Sequence, residues 1–202
     1  MIHTRIPVYL MPGMAAAPSI FQHINLPSDV FDVHFLEWFV PEKGISLEGM
    51  LVQEMTKHIK TRKVIIISSV KSHKELPKRM QFAKYTKIHK LLPTGLINNV
   101  ELIAKYAFGE TVTKRLELYE QYLSVRDKNY IDWAIDKIVN WKESAEILNL
   151  VHIHGDKDPV FPKININNCI TVKNGTHTMI IHRYKWFNEH LPTIILQNES
   201  SI

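Results

Sequence analysis

Five short apolar runs, each closed by a turn-forming residue, constrain this chain more than any other feature. Ile6-Pro7-Val8-Tyr9-Leu10-Met11 stops at Pro12-Gly13, and Val33-His34-Phe35-Leu36-Glu37-Trp38 stops before Pro41. Residues 63–68, 148–154 and 169–172 repeat the pattern, the last two closing at Gly155 and at Asn174-Gly175. Runs this short, bounded by Gly, Pro and Asn, read as buried strands followed by turns. Helical spacing separates several of them. A short helix is expected over 18–24. Over 47–59, Leu51, Val52, Met55 and Ile59 mark the buried face of an amphipathic helix. A closing helix is expected over 178–190, with Thr176 or Thr178 as its N-cap. Strands alternating with helices predict an α/β fold: a mostly parallel sheet covered by helices on both faces. Residues 63–68 are apolar throughout, as a central parallel strand requires.

Residues 72–147 break this alternation. They are rich in Lys, Leu, Tyr and Glu, contain no good strand, and are divided by Pro77, Pro93 and Gly109. A helical block between two strands reads as a cap. The expected organisation is a core of residues 1–71 and 148–196, a helical cap over 72–147, and a flexible tail over 197–202. The cap aromatics Phe82, Tyr85, Tyr106, Phe108, Tyr119, Tyr122 and Trp133 are candidate pocket lining or cap core.

Bulk composition narrows the function classes. At 202 residues, 45% of them hydrophobic and 22% charged, the chain has the means to bury a core. The net charge of +5 is modest. Its densest basic stretch, with Lys71, Lys74, Lys78, Arg79, Lys84, Lys87 and Lys90, reads as a solvated helix face more than as an anion-binding stripe. No nucleic-acid partner is expected. One cysteine, Cys169, excludes an internal disulfide framework; it is read as a core residue of the fifth strand. The first apolar run is too short for a secretory leader, and no run reaches membrane-spanning length. The expected address is the cytoplasm, with no membrane partner.

In parallel sheets the loops at the carboxyl ends of strands build sites, so the residues after each run carry the functional information. The fourth run leads into His154-Gly155-Asp156-Lys157-Asp158-Pro159 and the fifth into Asn174-Gly175-Thr176-His177. Neighbouring strands lie about 4.8 Å apart, so side chains on adjacent post-strand loops meet. A carboxylate bonded to the Nδ1–H of a histidine fixes its tautomer and leaves Nε2 as a general base. A competing reading makes Asp156 and Asp158 simple turn caps before Pro159.

Met11-Pro12-Gly13-Met14, His154-Gly155-Asp156-Lys157-Asp158-Pro159 and Asn174-Gly175-Thr176-His177 together resemble the α/β-hydrolase family, in family order and over nearly the whole chain. The likeness is to small bacterial single-domain members with a helical cap. It implies Asp158 as the acid, His177 as the histidine, and Gly13 with the backbone N–H of Met14 at the oxyanion position. It also implies a small, rather apolar ester or acyl substrate and no cofactor.

The family places its serine in Gly-x-Ser-x-Gly, on a strained elbow after a central strand. That strand and the preceding helix are missing here. The family spends about 20 residues on them, whereas here the helix over 47–59 already begins within residues 40–49, close behind the second run. Gly44-Ile45-Ser46-Leu47-Glu48-Gly49 is the nearest match, with Glu48 where glycine is usual. Ser46 is therefore either the nucleophile or the N-cap of that helix. Reaching its usual place takes about 10 Å, two strand spacings, and residues 41–46 span up to about 20 Å. The exposed edges left by the missing strand are expected to pair directly, 6–11 with 64–68.

Two function classes follow: a serine hydrolase of esters, or a hydrolase-like protein without catalysis, either a small-molecule binding protein or the product of a truncated gene. Ser68 and Ser69, at the end of the third run, are a fallback nucleophile without glycine context. His152-Ile153-His154-Gly155-Asp156 resembles part of a metallo-β-lactamase metal motif, but Lys157 stands where its last histidine belongs. The favoured reading makes His152 a buried strand residue, places His154 in the turn and assigns no metal.

Overall fold

The structure, a computed structural model, describes residues 4–38, 59–87, 90, 122, 127–141, 147 and 149–197. Within them the chain is an α/β protein with wholly parallel pairing. β1 (Ile6–Leu10) pairs with β2 (Phe31–Phe35) in one sheet, Val8 facing Val33. β3 (Val64–Ile67), β4 (Leu150–Gly155) and β5 (Ile170–Val172) form a second sheet in the order β3-β4-β5. β5 pairs only with the last part of β4, from Ile153↔Ile170 to Gly155↔Val172.

The helices are α1 (Lys78–Thr86), α2 (Lys128–Asn140), α3 (Met179–His182) and α4 (Tyr184–Leu196). α4 presents Phe187, Leu191, Ile194 and Ile195 to the core, the i, i+4, i+7, i+8 stripe of an amphipathic helix. These residues pack with Phe31 of the first sheet and Val151, Ile153 and Val172 of the second. Ile6, Val8, Ile65 and Ile67 lie against the same cluster. Two separate sheets thus share one apolar core, joined by side chains under α4. The carbonyls at the end of α4 are met by cations: Lys63 Nζ donates to Ile194 O and Gln197 O, and Arg62 to Leu196 O. Positive charge there complements the helix dipole.

α2 begins at Asp127, whose carboxylate accepts from Tyr130 N at 2.9 Å. It lays Tyr130, Ile131 and Ala134 on Ala15, in the turn after β1, and Trp38 joins that cluster. Among the described residues, no helix is long and apolar enough to cross a membrane.

Several expectations change. The expected pairing of β1 with β3 is not made among the described residues: each strand pairs elsewhere, in a different sheet. Backbone donors and acceptors are alike along every strand, so composition did not choose between these partners. β3 lies at the edge of its three-stranded sheet, and the central strand is β4, buried from Val151 to Gly155. The expected helix over 18–24 is a 3-10 turn, Pro18–Phe21. The closing helix is two, α3 and α4, separated at Arg183; Thr178 takes the expected N-cap position, but its hydroxyl makes no capping bond, and Met179 N donates to Thr176 O. Cys169 lies just before β5 rather than inside it and is only half-buried. The expected helix over 47–59, apart from Ile59, lies outside the described residues, as do most of residues 72–147 and the tail from 198. Phe82 and Tyr85 are 63% and 81% exposed on α1. Tyr106, Phe108 and Tyr119 lie outside the described residues.

Candidate active site

β4 and β5 deliver the acid and the histidine to one place. His177 Nδ1 stands 3.1 Å from Asp158 Oδ2. The Asp158 side chain is fully buried, while that of His177 is 26% exposed. The other carboxylate oxygen, Oδ1, accepts from Val160 N at 2.8 Å and Phe161 N at 3.0 Å. Asp158 therefore makes both kinds of contact. One oxygen caps the turn before Phe161, and the other faces the imidazole. Asp156 is exposed and plays neither part.

A pair of glycines makes the approach possible. A Cβ on Gly155 would lie 2.3 Å from the carbonyl oxygen of Gly175, and one on Gly175 would lie 2.9 Å from Gly155 Cα. With no side chain on either, the two loops touch backbone to backbone. Lys157 N then donates to Gly175 O at 2.9 Å and Asp156 N to Val172 O at 3.3 Å, extending the ladder past the strand ends. Asn174 supports the turn at φ 55°, a left-handed conformation that asparagine tolerates better than most residues. The Phe161 ring meets His177 edge to face, centroids 5.5 Å apart. From α1, Arg79 donates to the carbonyls of Pro159 and Val160 and holds the acid loop from outside. Lys71 likewise bonds Asn167 O and Glu75. These two members of the basic stretch have partners within the chain.

The turn after β1 is clamped from two sides. Trp38 Nε1 donates to Pro12 O at 3.1 Å and Gly13 O at 2.8 Å. Ala15, at φ 63°, donates its N–H to the Tyr130 hydroxyl at 3.2 Å. Burial pushes that phenol up to about 12, against a smaller opposing effect of the bond from Ala15. The Met14 N–H has no hydrogen-bond partner among the described residues, and its side chain is 42% exposed.

The serines divide. Ser46 lies outside the described residues. Ser68 follows β3 at φ 50°, is buried, and donates from Oγ to Thr176 O at 3.5 Å, the outer limit of a hydrogen bond. That contact runs to the backbone next to His177. Ser69 lends its carbonyl to His152 Nε2 at 3.0 Å.

His152 and His154 share one face of β4, their rings perpendicular with centroids 5.2 Å apart. His152 is a buried strand residue, and burial, reinforced by His154, pulls its pKa down to about 4. His154 belongs to the strand rather than the turn. Its Nε2 bonds Phe161 O at 2.8 Å and lies 3.6 Å from Asp158 Oδ2. Sequence reading missed this third residue at the acid; the signal was its place four residues before Asp158, where the chain bends back at Gly155. Among the described residues, no group of three or more His, Cys, Asp or Glu side chains is arranged to hold a metal ion.

The fold and the site define an α/β protein with a buried aspartate against a partly exposed histidine, just past the carboxyl ends of adjacent parallel strands. No family model, curated protein or solved structure matches the chain.

Proposed function

We propose that this chain is an α/β-hydrolase-like acyl hydrolase, acting on small, rather apolar esters with His177 as its general base. The observation that carries this reading is the 3.1 Å contact between His177 Nδ1 and Asp158 Oδ2. The carboxylate is buried and satisfied on its other oxygen, so it holds the imidazole in the Nδ1–H tautomer and stabilises the imidazolium formed in turnover. The Nε2 face then takes a proton from the attacking hydroxyl and returns it to the leaving alcohol. Ser46 is the proposed nucleophile. It attacks the ester carbonyl, the alkoxide leaves with that proton, and water releases the acid from the acyl-serine. The Met14 N–H, beside Gly13, is the proposed oxyanion donor, a role worth about 3–4 kcal/mol in comparable sites.

A second reading, a binding protein without turnover, is favoured by one observation. The serine described beside the pair, Ser68, is buried and gives its hydroxyl to a backbone carbonyl rather than to an imidazole. Labelling with a fluorophosphonate, followed by peptide mass spectrometry, separates the two. Modification of Ser46, with p-nitrophenyl ester turnover lost in Ser46→Ala and His177→Ala, supports the hydrolase. Binding of the same esters with neither label nor turnover supports the second reading.

A further inference from the structure

The geometry points to His154 as a positioning residue for the Asp158–His177 pair: from inside the sheet it holds the turn 158–161 so that Oδ2 of Asp158 is kept for His177. The proposal rests on the functional reading of that pair.

Two imidazoles flank one carboxylate oxygen. His177 Nδ1 is 3.1 Å from Oδ2 and His154 Nε2 is 3.6 Å from it. Were both to donate there, the pull on His177 would be divided. Instead, His154 Nε2 bonds the Phe161 carbonyl at 2.8 Å. A carbonyl only accepts, so the proton sits on His154 Nε2. Phe161 thereby becomes the hinge of the arrangement. Its N–H holds Asp158 Oδ1, its carbonyl is held by His154, and its ring lies against His177.

The remaining nitrogen of His154 shows that packing alone does not account for this residue. His154 is fully buried, and its Nδ1 has no hydrogen-bond partner among the described residues. An apolar side chain of similar size would avoid that unsatisfied acceptor. What the imidazole adds is one directed N–H to the turn that carries the acid. His152, perpendicular to it and bonded to Ser69 O, fixes the plane of the ring.

The test uses His154→Gln and His154→Met, nearly equal in volume, of which only glutamine carries an N–H donor. Long-range 1H–15N spectra of the labelled full chain report the tautomer of His177. The wild-type protein is expected to show Nδ1–H at His177 and Nε2–H at His154. In His154→Met, the ratio of Nδ1–H to Nε2–H at His177 is expected to fall about fivefold, the worth of one ordinary hydrogen bond, and His154→Gln is expected to restore most of it. An unchanged ratio in His154→Met, or equal losses in both variants, overturns the proposal. So does failure of both to fold by near-ultraviolet circular dichroism, because His154 would then serve the whole sheet. A wild-type His177 without Nδ1–H overturns the functional reading of the pair itself, a result separable from all of these.

Discussion

Gly155 and Gly175 are in backbone contact: the position a Cβ would take on Gly155 is 2.3 Å from Gly175 O and 2.4 Å from Gly175 C. No rotamer relieves this, because the obstacle is main chain. Gly155→Ala must therefore push the loops after β4 and β5 apart. The expected cost is about 2–3 kcal/mol, the upper range for overpacking. It should appear as a lower denaturation midpoint, together with loss of the Asp158-dependent tautomer at His177. A variant as stable as the parent would contradict the contact.

Asp158→Asn keeps the size of the side chain and reverses one hydrogen bond. Val160 N and Phe161 N both require an acceptor, so the amide oxygen must stay with them. The NH2 group then faces His177 Nδ1 as a donor and forces the proton onto Nε2. The expected outcome is the Nε2–H tautomer at His177 and, for the hydrolase reading, a loss of about 10⁴-fold in kcat. Nitrogen-15 spectra and ester turnover measure the two effects independently.

Tyr130→Phe removes the acceptor for Ala15 N–H, at a residue that is itself buried. An unsatisfied buried donor costs about 1–3 kcal/mol. Because Ala15 sits at positive φ, the turn at 12–16 should loosen locally before the sheet unfolds. Faster amide exchange at Ala15, with β4 protection retained, is the expected signature.

His152 gives the fold an acid limit. Its pKa is about 4 in the folded chain against 6.5 as the ordinary value. Between those values the unfolded chain binds the proton that the folded chain excludes. The stability this histidine contributes is full above about pH 6.5, declines as pH falls, and is gone below about 4. The size is on the order of 3 kcal/mol. Urea melts of His152→Phe against the parent at pH 7 and pH 4.5 measure it: the parent should lose stability relative to the variant at the lower pH.

Legibility from sequence followed the range of the interactions. The strands were visible because apolar runs and their Gly, Pro or Asn stops are local. Val64–Ile67, Leu150–Gly155 and Ile170–Val172 each fall within an expected run or differ from it by a residue or two. Asp158 and His177 were visible because each follows directly on a strand, and adjacent parallel strands bring their carboxyl ends together. The partners of Ala15 were not. Tyr130 lies 115 residues away, and nothing in the local pattern of either segment announces the other.

The sequence by itself determined where the chain extends, where it turns, and which carboxylate and imidazole follow neighbouring strands, since side-chain hydrophobicity and turn chemistry act within a few residues. Only the tertiary structure decided that β1 pairs with β2 and, among the described residues, not with β3, that β4 rather than β3 is central among the described strands, and that His154 reaches the acid's turn. Those outcomes depend on backbone hydrogen bonds, which are the same for every residue, and on which surfaces remain to be buried once α4 has joined the two sheets.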